Sequence, residues 1–361
     1  MGKIIVKLDH VSKIFDGNRA VINDLSMEVK EGEFLTLLGP SGCGKTTILR
    51  MISGLEMVSS GKVYIDSKDV TDMEAAKRQV NTIFQNLAVF PHMTVFDNVA
   101  FGLKMKKVPK DEITKQVLKT LKLVDLEGFE DRKPAQLSGG QLQRVAIARG
   151  IITNPKVLLL DESLCSLDLK LKRAMQIELK KIQKKSGITF IYVTHDQDEA
   201  LTMSDRIIII DKGIIQQDDT PEEIYQHPKT VFVADFIGES NIISGEIIKI
   251  KNSDVEVKIV DNISFFVKGN AEDKTGDKVK IMIRPENVNV SKNKIKDGIK
   301  GRIKEIIYDG AVTKLFVDTV GDLSLKVNVH GVVSYKPEDI VYVRVDAEDI
   351  VLIRRKNDEG K

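Results

Sequence analysis

Up to about residue 237, the chain alternates short apolar runs with longer amphipathic stretches. Runs such as Lys156 to Leu160 and Ile188 to Val193 have the length of buried strands, and polar residues follow each of them. Residues 111–124 contain no Gly or Pro and repeat apolar residues at helical spacing. This alternation predicts an α/β domain on a parallel sheet, where ligands bind beyond the carboxyl ends of the strands.

After residue 238 the pattern changes to alternating apolar and polar positions. Segments 255–259, 278–283 and 325–329 alternate in this way, and turn residues separate them. Many short strands at this spacing predict a small all-β domain, a barrel or a sandwich. We therefore expect two domains, residues 1–238 and residues 239–361, as the length of 361 residues also suggests.

Charge and composition limit the classes of partner and the cellular compartment that we expect for the chain. The formal net charge is only +2, which gives no global attraction to nucleic acid. No signal segment is evident, and no apolar run approaches the roughly 20 residues that a bilayer span needs. Cys43 and Cys165 form no disulfide framework, which is typical of a reducing compartment. We expect a cytosolic chain that only a partner would hold at a membrane.

Residues 39–46 have the phosphate-loop pattern, between an apolar run and a helix-forming stretch. The residues are Gly39, Pro40, Ser41, Gly42, Cys43, Gly44, Lys45 and Thr46. The glycines let successive N–H groups curl around an anion, and the helix N-terminus adds positive potential. Lys45 supplies a charge for the outer phosphates and Thr46 a hydroxyl for Mg²⁺. The pattern predicts a nucleoside triphosphate site, to which we also assign Thr47.

The run 157–160 ends in two carboxylates, Asp161 and Glu162. In a phosphate-loop domain, Asp161 would bind Mg²⁺ through its water shell, and Glu162 would polarise the attacking water as general base. Taken alone, the pair is equally consistent with a strand that ends in solvated acids.

A second anion-binding device precedes the helix-forming stretch 142–152. It consists of Ser138, Gly139, Gly140 and Gln141. A hydroxyl and backbone N–H groups at a helix N-terminus suit an anion, although they also make a good helix cap.

In this order, the motifs resemble those of the nucleotide-binding subunit of an ABC transporter, whose phosphate-loop ATPase domain includes a helical subdomain. The resemblance extends over nearly the whole chain. By this resemblance, Phe15 would face the adenine ring and Gln85 would belong to the Q-loop. Asp168 would belong to the D-loop, and His195 would be the switch histidine.

The resemblance implies a head-to-tail pair of copies that closes on two ATP molecules, each phosphate loop facing the partner's Ser138 and the partner's Gly140. Catalysis would rest on Lys45, Glu162 and His195. The Mg²⁺ ligands would be Thr46, Gln85 and Asp161, and Asp168 would couple the two sites.

The β domain narrows the resemblance to importer ATPases that carry an OB-like, TOBE-type regulatory domain, because residues 284–286 read Arg-Pro-Glu. Segments 90–99, 160–164 and 234–239 are most similar to those of spermidine/putrescine importers. This implies two integral-membrane permease subunits, an extracytoplasmic polyamine-binding protein, and a peripheral position on the cytoplasmic face of the cell membrane. A sugar, ferric iron or sulfate importer shares every catalytic motif and stays an alternative.

Two hypotheses from other functional classes have less support in the sequence. Soluble ABC ATPases that act on ribosomes or DNA commonly carry two cassettes or a long coiled coil, whereas this chain has one phosphate loop and no sustained heptads. A nucleic-acid-binding β-barrel needs an aromatic and basic platform, but aromatics make up 5% of the chain and Trp is absent. We expect no nucleic-acid partner.

Overall fold

The computed structural model describes residues 2–15, 19–164, 169–251, 254–260, 263–269 and 273–353. The chain forms two compact units, Met1–Pro221 and Glu222–Lys361. The D-loop residue Asp168, and Cys165 beside it, lie outside the described residues.

The strands of the first unit form a six-stranded and a four-stranded sheet. They are β1 (Ile4–Phe15), β2 (Arg19–Lys30), β3 (Phe34–Leu38), β4 (Ser60–Ile65), β5 (Lys68–Asp69), β6 (Val80–Ile83), β7 (Val157–Asp161), β8 (Thr189–Thr194), β9 (Arg206–Asp211) and β10 (Ile214–Asp219). The larger sheet has the order β10-β9-β3-β8-β7-β6 and is parallel except for β10. The predicted parallel sheet is thus confirmed.

The smaller sheet, in the order β2-β1-β4-β5, is antiparallel and was not predicted. In strand β1, Val6 and Leu8 are buried, whereas the residue between them and the residue after Leu8 are more exposed. This alternation is typical of a sheet with one covered face.

The described helices of the first unit are α1 (Lys45–Ser53), α2 (Val95–Met105), α3 (Lys110–Leu123), α4 (Gly139–Ile151), α5 (Leu169–Ser186) and α6 (Gln197–Met203). The helix predicted at 111–124 corresponds to α3. Helices α2, α3 and α4 contact one another and form a helical group inserted between β6 and β7.

The six-stranded sheet is covered on both faces. In β7, Leu158 and Leu160 enter one hydrophobic cluster, whereas Val157 and Leu159 enter another. Successive side chains of a strand point to opposite faces, so the uninterrupted apolar run is explained by burial on both sides.

The second unit begins within the short helix α7 (Pro221–Gln226) and contains a second short helix, α8 (Val231–Phe236). It continues as two five-stranded sheets. The strands are β11 (Asn241–Lys251), β12 (Asp254–Val260), β13 (Ile263–Lys268), β14 (Lys278–Ile283), β15 (Asn289–Ser291), β16 (Ile299–Asp309), β17 (Val312–Thr319), β18 (Ser324–His330), β19 (Ile340–Arg344) and β20 (Ile350–Ile353).

The two sheets of this unit are antiparallel, in the orders β13-β12-β11-β14-β20 and β15-β19-β16-β17-β18. They share one core, in which Val257 and Ile281 of the first sheet lie with Leu315 and Val341 of the second. The predicted all-β domain is confirmed, and the three alternating segments lie in β12, β14 and β18.

Arg284 joins the segment before β11 to the β strands of the second compact unit, which begins at Glu222. Its guanidinium is 3% exposed and donates to the carbonyl oxygens of Tyr225, Ile237 and Glu239. It also lies 4.0 Å from the centre of the Tyr225 ring. The segment that precedes β11 is therefore bound to the β domain by its own backbone.

Among the described residues, no helix is both long enough and apolar enough to cross a membrane.

Candidate active site

Several strands of the parallel sheet end level with one another. Leu38 of β3 pairs with Thr194 of β8, and Asp161 of β7 pairs with Val193 of β8. The segments that follow these strands consequently emerge at one edge of the sheet, as expected for an open α/β sheet. They are the phosphate loop after β3, Gln85 after β6, Glu162 after β7 and His195 after β8.

The phosphate loop is tightly curled between β3 and α1. Gly42 and Gly44 have φ angles of 80° and 107°, in the left-handed region that glycine adopts without strain. A Cβ at Gly39 would lie 2.1 Å from the carbonyl oxygen of Ile210, so only glycine allows this approach. The loop therefore has the backbone that a phosphate cradle requires.

Lys45 is folded over the loop. Its ammonium donates to the carbonyl oxygens of Gly39 at 2.8 Å and Pro40 at 2.9 Å, and the residue is 5% exposed. Because Lys45 begins α1, its charge lies at the positive end of that helix. This concentration of positive potential at a curled loop favours an anion.

Cys43 takes part in the loop through its backbone rather than through its thiol. The side chain is 4% exposed, and burial raises the pKa of the thiol despite the nearby charge of Lys45. Ser41 is exposed, whereas Thr46 and Thr47 are half-buried on the first turn of α1.

Thr46 and Asp161 meet at the base of the loop, where the hydroxyl of Thr46 donates to Asp161 Oδ1 at 3.1 Å. Burial raises the pKa of the Asp161 carboxyl and the neighbouring charge of Glu162 adds to this, while the Thr46 hydrogen bond opposes it.

Two adjacent hard oxygens of this kind suit Mg²⁺. Within the described part of the chain, no group of three or more His, Cys, Asp or Glu side chains could hold a metal ion by itself. The protein thus fits a Mg²⁺ ion whose other ligands come from water and phosphate.

Glu162 and His195 are neighbours across the ends of β7 and β8. Glu162 Oε1 lies 3.2 Å from His195 Nδ1, and the two side chains are 25% and 50% exposed. The N–H of Glu162 donates to the carbonyl oxygen of Val193 at 3.0 Å, with Glu162 at a φ of 44°. An ionised carboxylate only accepts, so Nδ1 carries the proton in this contact. The pair can accept a proton from water at the sheet edge.

Other predicted residues stand apart from these contacts. Gln85 is exposed after β6, and Phe15, at the end of β1, is 42% exposed with Lys13 Nζ 4.9 Å from its ring centre. Ser138 caps α4, since its hydroxyl accepts from Gln141 N and Gln141 Oε1 accepts from Ser138 N.

The start of α4 is exposed at Ser138 and Gly139. Among the described residues, no hydrogen bond or ion pair joins it to the phosphate loop of the same chain.

Sequence reasoning missed Glu199, which is 0% exposed and accepts from the hydroxyls of Tyr192 and Thr194. The sequence offers one signal for Glu199, an acidic residue soon after His195 on a helix and next to Ala200, which is buried. A carboxylate that is buried on such a helix needs hydrogen-bond or ionic partners, and a search for those partners could have found Glu199.

The comparisons with known proteins agree with this geometry. Residues 22–164 match the family described as ABC transporter, and residues 281–353 match the family described as TOBE domain. The spermidine/putrescine import ATP-binding protein PotA of Vibrio vulnificus (strain YJ016) is 49% identical over 332 residues, which cover 91% of this chain and 87% of the relative. The PotA protein of Oleidesulfovibrio alaskensis is 50% identical over 316 residues, covering 87% and 84%.

Solved structures of ABC proteins resemble about three fifths of the chain. CbiO1 from Clostridium perfringens, part of the ABC transporter complex cbiONQ, has a TM-score of 0.57 at 30% identity and covers 62% of this chain and 90% of its own. The ATP-binding cassette MJ0796, in a dimeric post-hydrolysis state with ADP and Pi, has a TM-score of 0.52 at 34% identity and covers 60% of this chain and 99% of its own.

Proposed function

The chain belongs to the ABC transporter family, within the group of spermidine/putrescine import ATP-binding proteins, and we propose that it hydrolyses ATP to drive polyamine uptake across the cytoplasmic membrane. One observation supports the ATPase role above others: Glu162 and His195 lie 3.2 Å apart at the sheet edge that carries the phosphate loop. The polyamine assignment rests on relatives about half identical to the chain over most of its length.

ATP binding would use the phosphate loop, residues 39–47, and the ring of Phe15. Lys45 would exchange the carbonyl oxygens of Gly39 and Pro40 for phosphate oxygens, a short movement of a flexible side chain. Backbone N–H groups of the loop and the N-terminus of α1 would hold the same phosphates. Phe15 is exposed enough to stack on adenine.

Mg²⁺, when bound, would neutralise charge on the outer phosphates. Thr46 and Asp161, already in contact, would hold it together with Gln85, whose exposed side chain follows β6. Hard oxygen ligands of this type, completed by water and phosphate, are what Mg²⁺ prefers.

Hydrolysis would depend on Glu162 as the base. Its carboxylate accepts a proton from the attacking water, while the Nδ1–H of His195 donates to Oε1 and fixes its orientation. The imidazole of His195 would also contact the γ-phosphate and help to orient the attack. Positioning and charge stabilisation carry phosphoryl transfer, and Lys45 would supply the compensating charge.

Completion of the site would require a second copy. The exposed start of α4 would bring Ser138, Gly139, Gly140 and Gln141 to the γ-phosphate held by the partner subunit. Asp168, which lies outside the described residues, would couple the two sites. Two permease subunits would place the pair at the cytoplasmic face of the membrane, and an extracytoplasmic polyamine-binding protein would deliver the solute.

Uptake of labelled spermidine tests the proposal. Cells that lack this protein and other polyamine importers are complemented with wild type, Glu162→Gln or Glu127→Gln. Glu127 is a matched control because its side chain is 63% exposed and pairs with Lys122 in a surface contact of 3.3 Å. Wild type and Glu127→Gln should restore uptake, and Glu162→Gln should not. Restored uptake of a sugar, ferric iron or sulfate instead of spermidine would overturn the substrate and retain the ATPase.

A further inference from the structure

The two residues that flank His195 are held by one buried ionic cluster. Glu199, on α6, is 0% exposed, and its Oε2 accepts from Tyr192 and Thr194 hydroxyls, both at 2.5 Å. Both hydroxyls lie on β8, directly before the histidine. The N–H of Asp196 donates to the Thr194 hydroxyl oxygen at 3.0 Å, so the backbone on the other side of His195 is tied to the same cluster.

Lys172 joins this cluster to α5. Its ammonium lies 2.7 Å from Glu199 Oε1 and 2.6 Å from Asp196 Oδ2, and its side chain is 16% exposed. Asp196 Oδ1 in turn accepts the N–H of Glu199 and caps α6. One cation thus bridges two carboxylates from the first turn of α5.

The cluster is ionic rather than merely polar. Burial alone would lower the pKa of Lys172, but its bonds to Asp196 and Glu199 outweigh burial and raise that pKa. The same ammonium lowers the pKa of Asp196 against the opposing effect of burial. Removal of one member would leave a buried charge without its partner, which is costly.

We propose that Glu199 and Lys172 are positioning residues for His195, holding Thr194 and Asp196 so that the imidazole stays against Glu162. This rests on the proposed role of His195. Neither residue reaches the phosphate loop, so neither is catalytic. The side chain of His195 itself is half exposed, so we expect its backbone to be fixed from the buried side. A displacement of about 1 Å at such a group costs up to about a hundredfold in rate.

ATPase measurements on the assembled importer test the proposal with Glu199→Gln and Lys172→Met. Each should lower kcat about tenfold and leave the KM for ATP unchanged, because the phosphate loop is untouched. Lys180→Met is the matched control on the same helix, since its ion pair with Asp205 at 2.5 Å does not touch the residues beside His195. It should keep the wild-type rate. Lys172→Met keeps the test valid if Glu199→Gln does not fold.

A double-mutant cycle separates positioning from general stability. If Glu199 acts through His195, Glu199→Gln should have no further effect on the residual rate of His195→Ala. A further tenfold loss in that background would overturn the proposal, as would wild-type kcat in both single variants. Wild-type turnover of His195→Ala itself would instead overturn the proposed function, so the two failures are distinguishable.

Discussion

The hydroxyl of Thr46 donates to Asp161 over 3.1 Å and thereby joins the first turn of α1 to the end of β7. Two elements far apart in sequence meet here, and their oxygens lie together before any ion is bound. An ion that binds both residues would replace this hydrogen bond.

Thr46→Val should abolish the Mg²⁺ contribution to nucleotide binding, because valine keeps the shape but has no oxygen. We expect ATP affinity in Mg²⁺ to fall by about tenfold or more, and affinity in EDTA to stay unchanged. Calorimetric titration measures both. Ser53→Ala, which removes a hydroxyl from the other end of α1, serves as control. An equal loss in EDTA would show that Thr46 supports the loop rather than the ion.

Asp161→Asn should stabilise the nucleotide-free protein while it abolishes hydrolysis. Burial raises the folded pKa of Asp161 above its unfolded value, so the ionised form costs stability. This cost appears as pH rises from the unfolded pKa to the folded pKa and is constant above it. The variant should melt about 2 °C higher than wild type at pH 7.5 and show a smaller gain at about pH 4, close to the unfolded pKa. Thermal melts followed by circular dichroism measure this. A larger gain at about pH 4 would contradict the argument.

Glu162→Gln should bind ATP and turn it over at least about a hundredfold more slowly, because an amide cannot accept the proton of the attacking water. The two copies should then stay associated, and size-exclusion chromatography should detect a dimer in ATP that is absent without nucleotide. Glu127→Gln should behave as wild type. Wild-type turnover by Glu162→Gln would remove Glu162 from its assigned role.

Cys43 should react slowly with thiol reagents, and ATP should slow the reaction further. Its side chain is 4% exposed with a raised pKa, so little thiolate is present near neutral pH. A Cys165→Ser variant leaves Cys43 as the only thiol, since the chain has 2 cysteines. Labelling rates followed by mass spectrometry should rise steeply with pH and fall with saturating ATP. Equal rates with and without ATP would place the nucleotide elsewhere.

Arg284→Met should cost about 3 kcal/mol of folding free energy, because it leaves the buried carbonyl oxygens of Tyr225 and Ile237 without their donor. Urea unfolding of the full chain, followed by circular dichroism, measures the loss. Arg302→Met is the control, since Arg302 is 62% exposed and pairs with Glu338, which is 71% exposed. Similar losses in both variants would argue against a special role for Arg284.

Tyr225, whose ring packs against the guanidinium of Arg284, allows a separate prediction. Burial and the hydrogen bond from its hydroxyl to Glu286 raise the pKa of Tyr225 to about 12. We therefore expect its ionisation, followed by ultraviolet absorbance, to be delayed in wild type and to move towards the ordinary value in Glu286→Gln.

Local pattern was enough to predict the elements that carry the chemistry. The phosphate loop was predictable because its glycines permit the left-handed backbone of the curl between a strand and a helix. Strand β7 ends at Asp161, as its apolar run indicates. Helix α3 and strands β12, β14 and β18 likewise follow from periodicity alone.

Long-range contacts were not predictable in the same way. The antiparallel sheet of β1, β2, β4 and β5 depends on pairing between distant segments. The place of α8 in the second unit depends on contacts with residues far along the chain, because Ala234 packs with Met282 and Ile353. The cluster of Glu199 and Lys172 depends on burial that no local pattern reports.

The backbone of Glu162 carries one further implication. At a φ of 44° a residue with a side chain is held in a region that costs on the order of 1 kcal/mol, and here the cost falls on the proposed base itself. Glycine, or to a lesser degree asparagine, would relieve it. A substitution to either residue would therefore stabilise the fold and remove the proposed catalytic base. Only continued selection for ATP hydrolysis would keep a glutamate there, and a descendant released from that demand would be expected to lose it early.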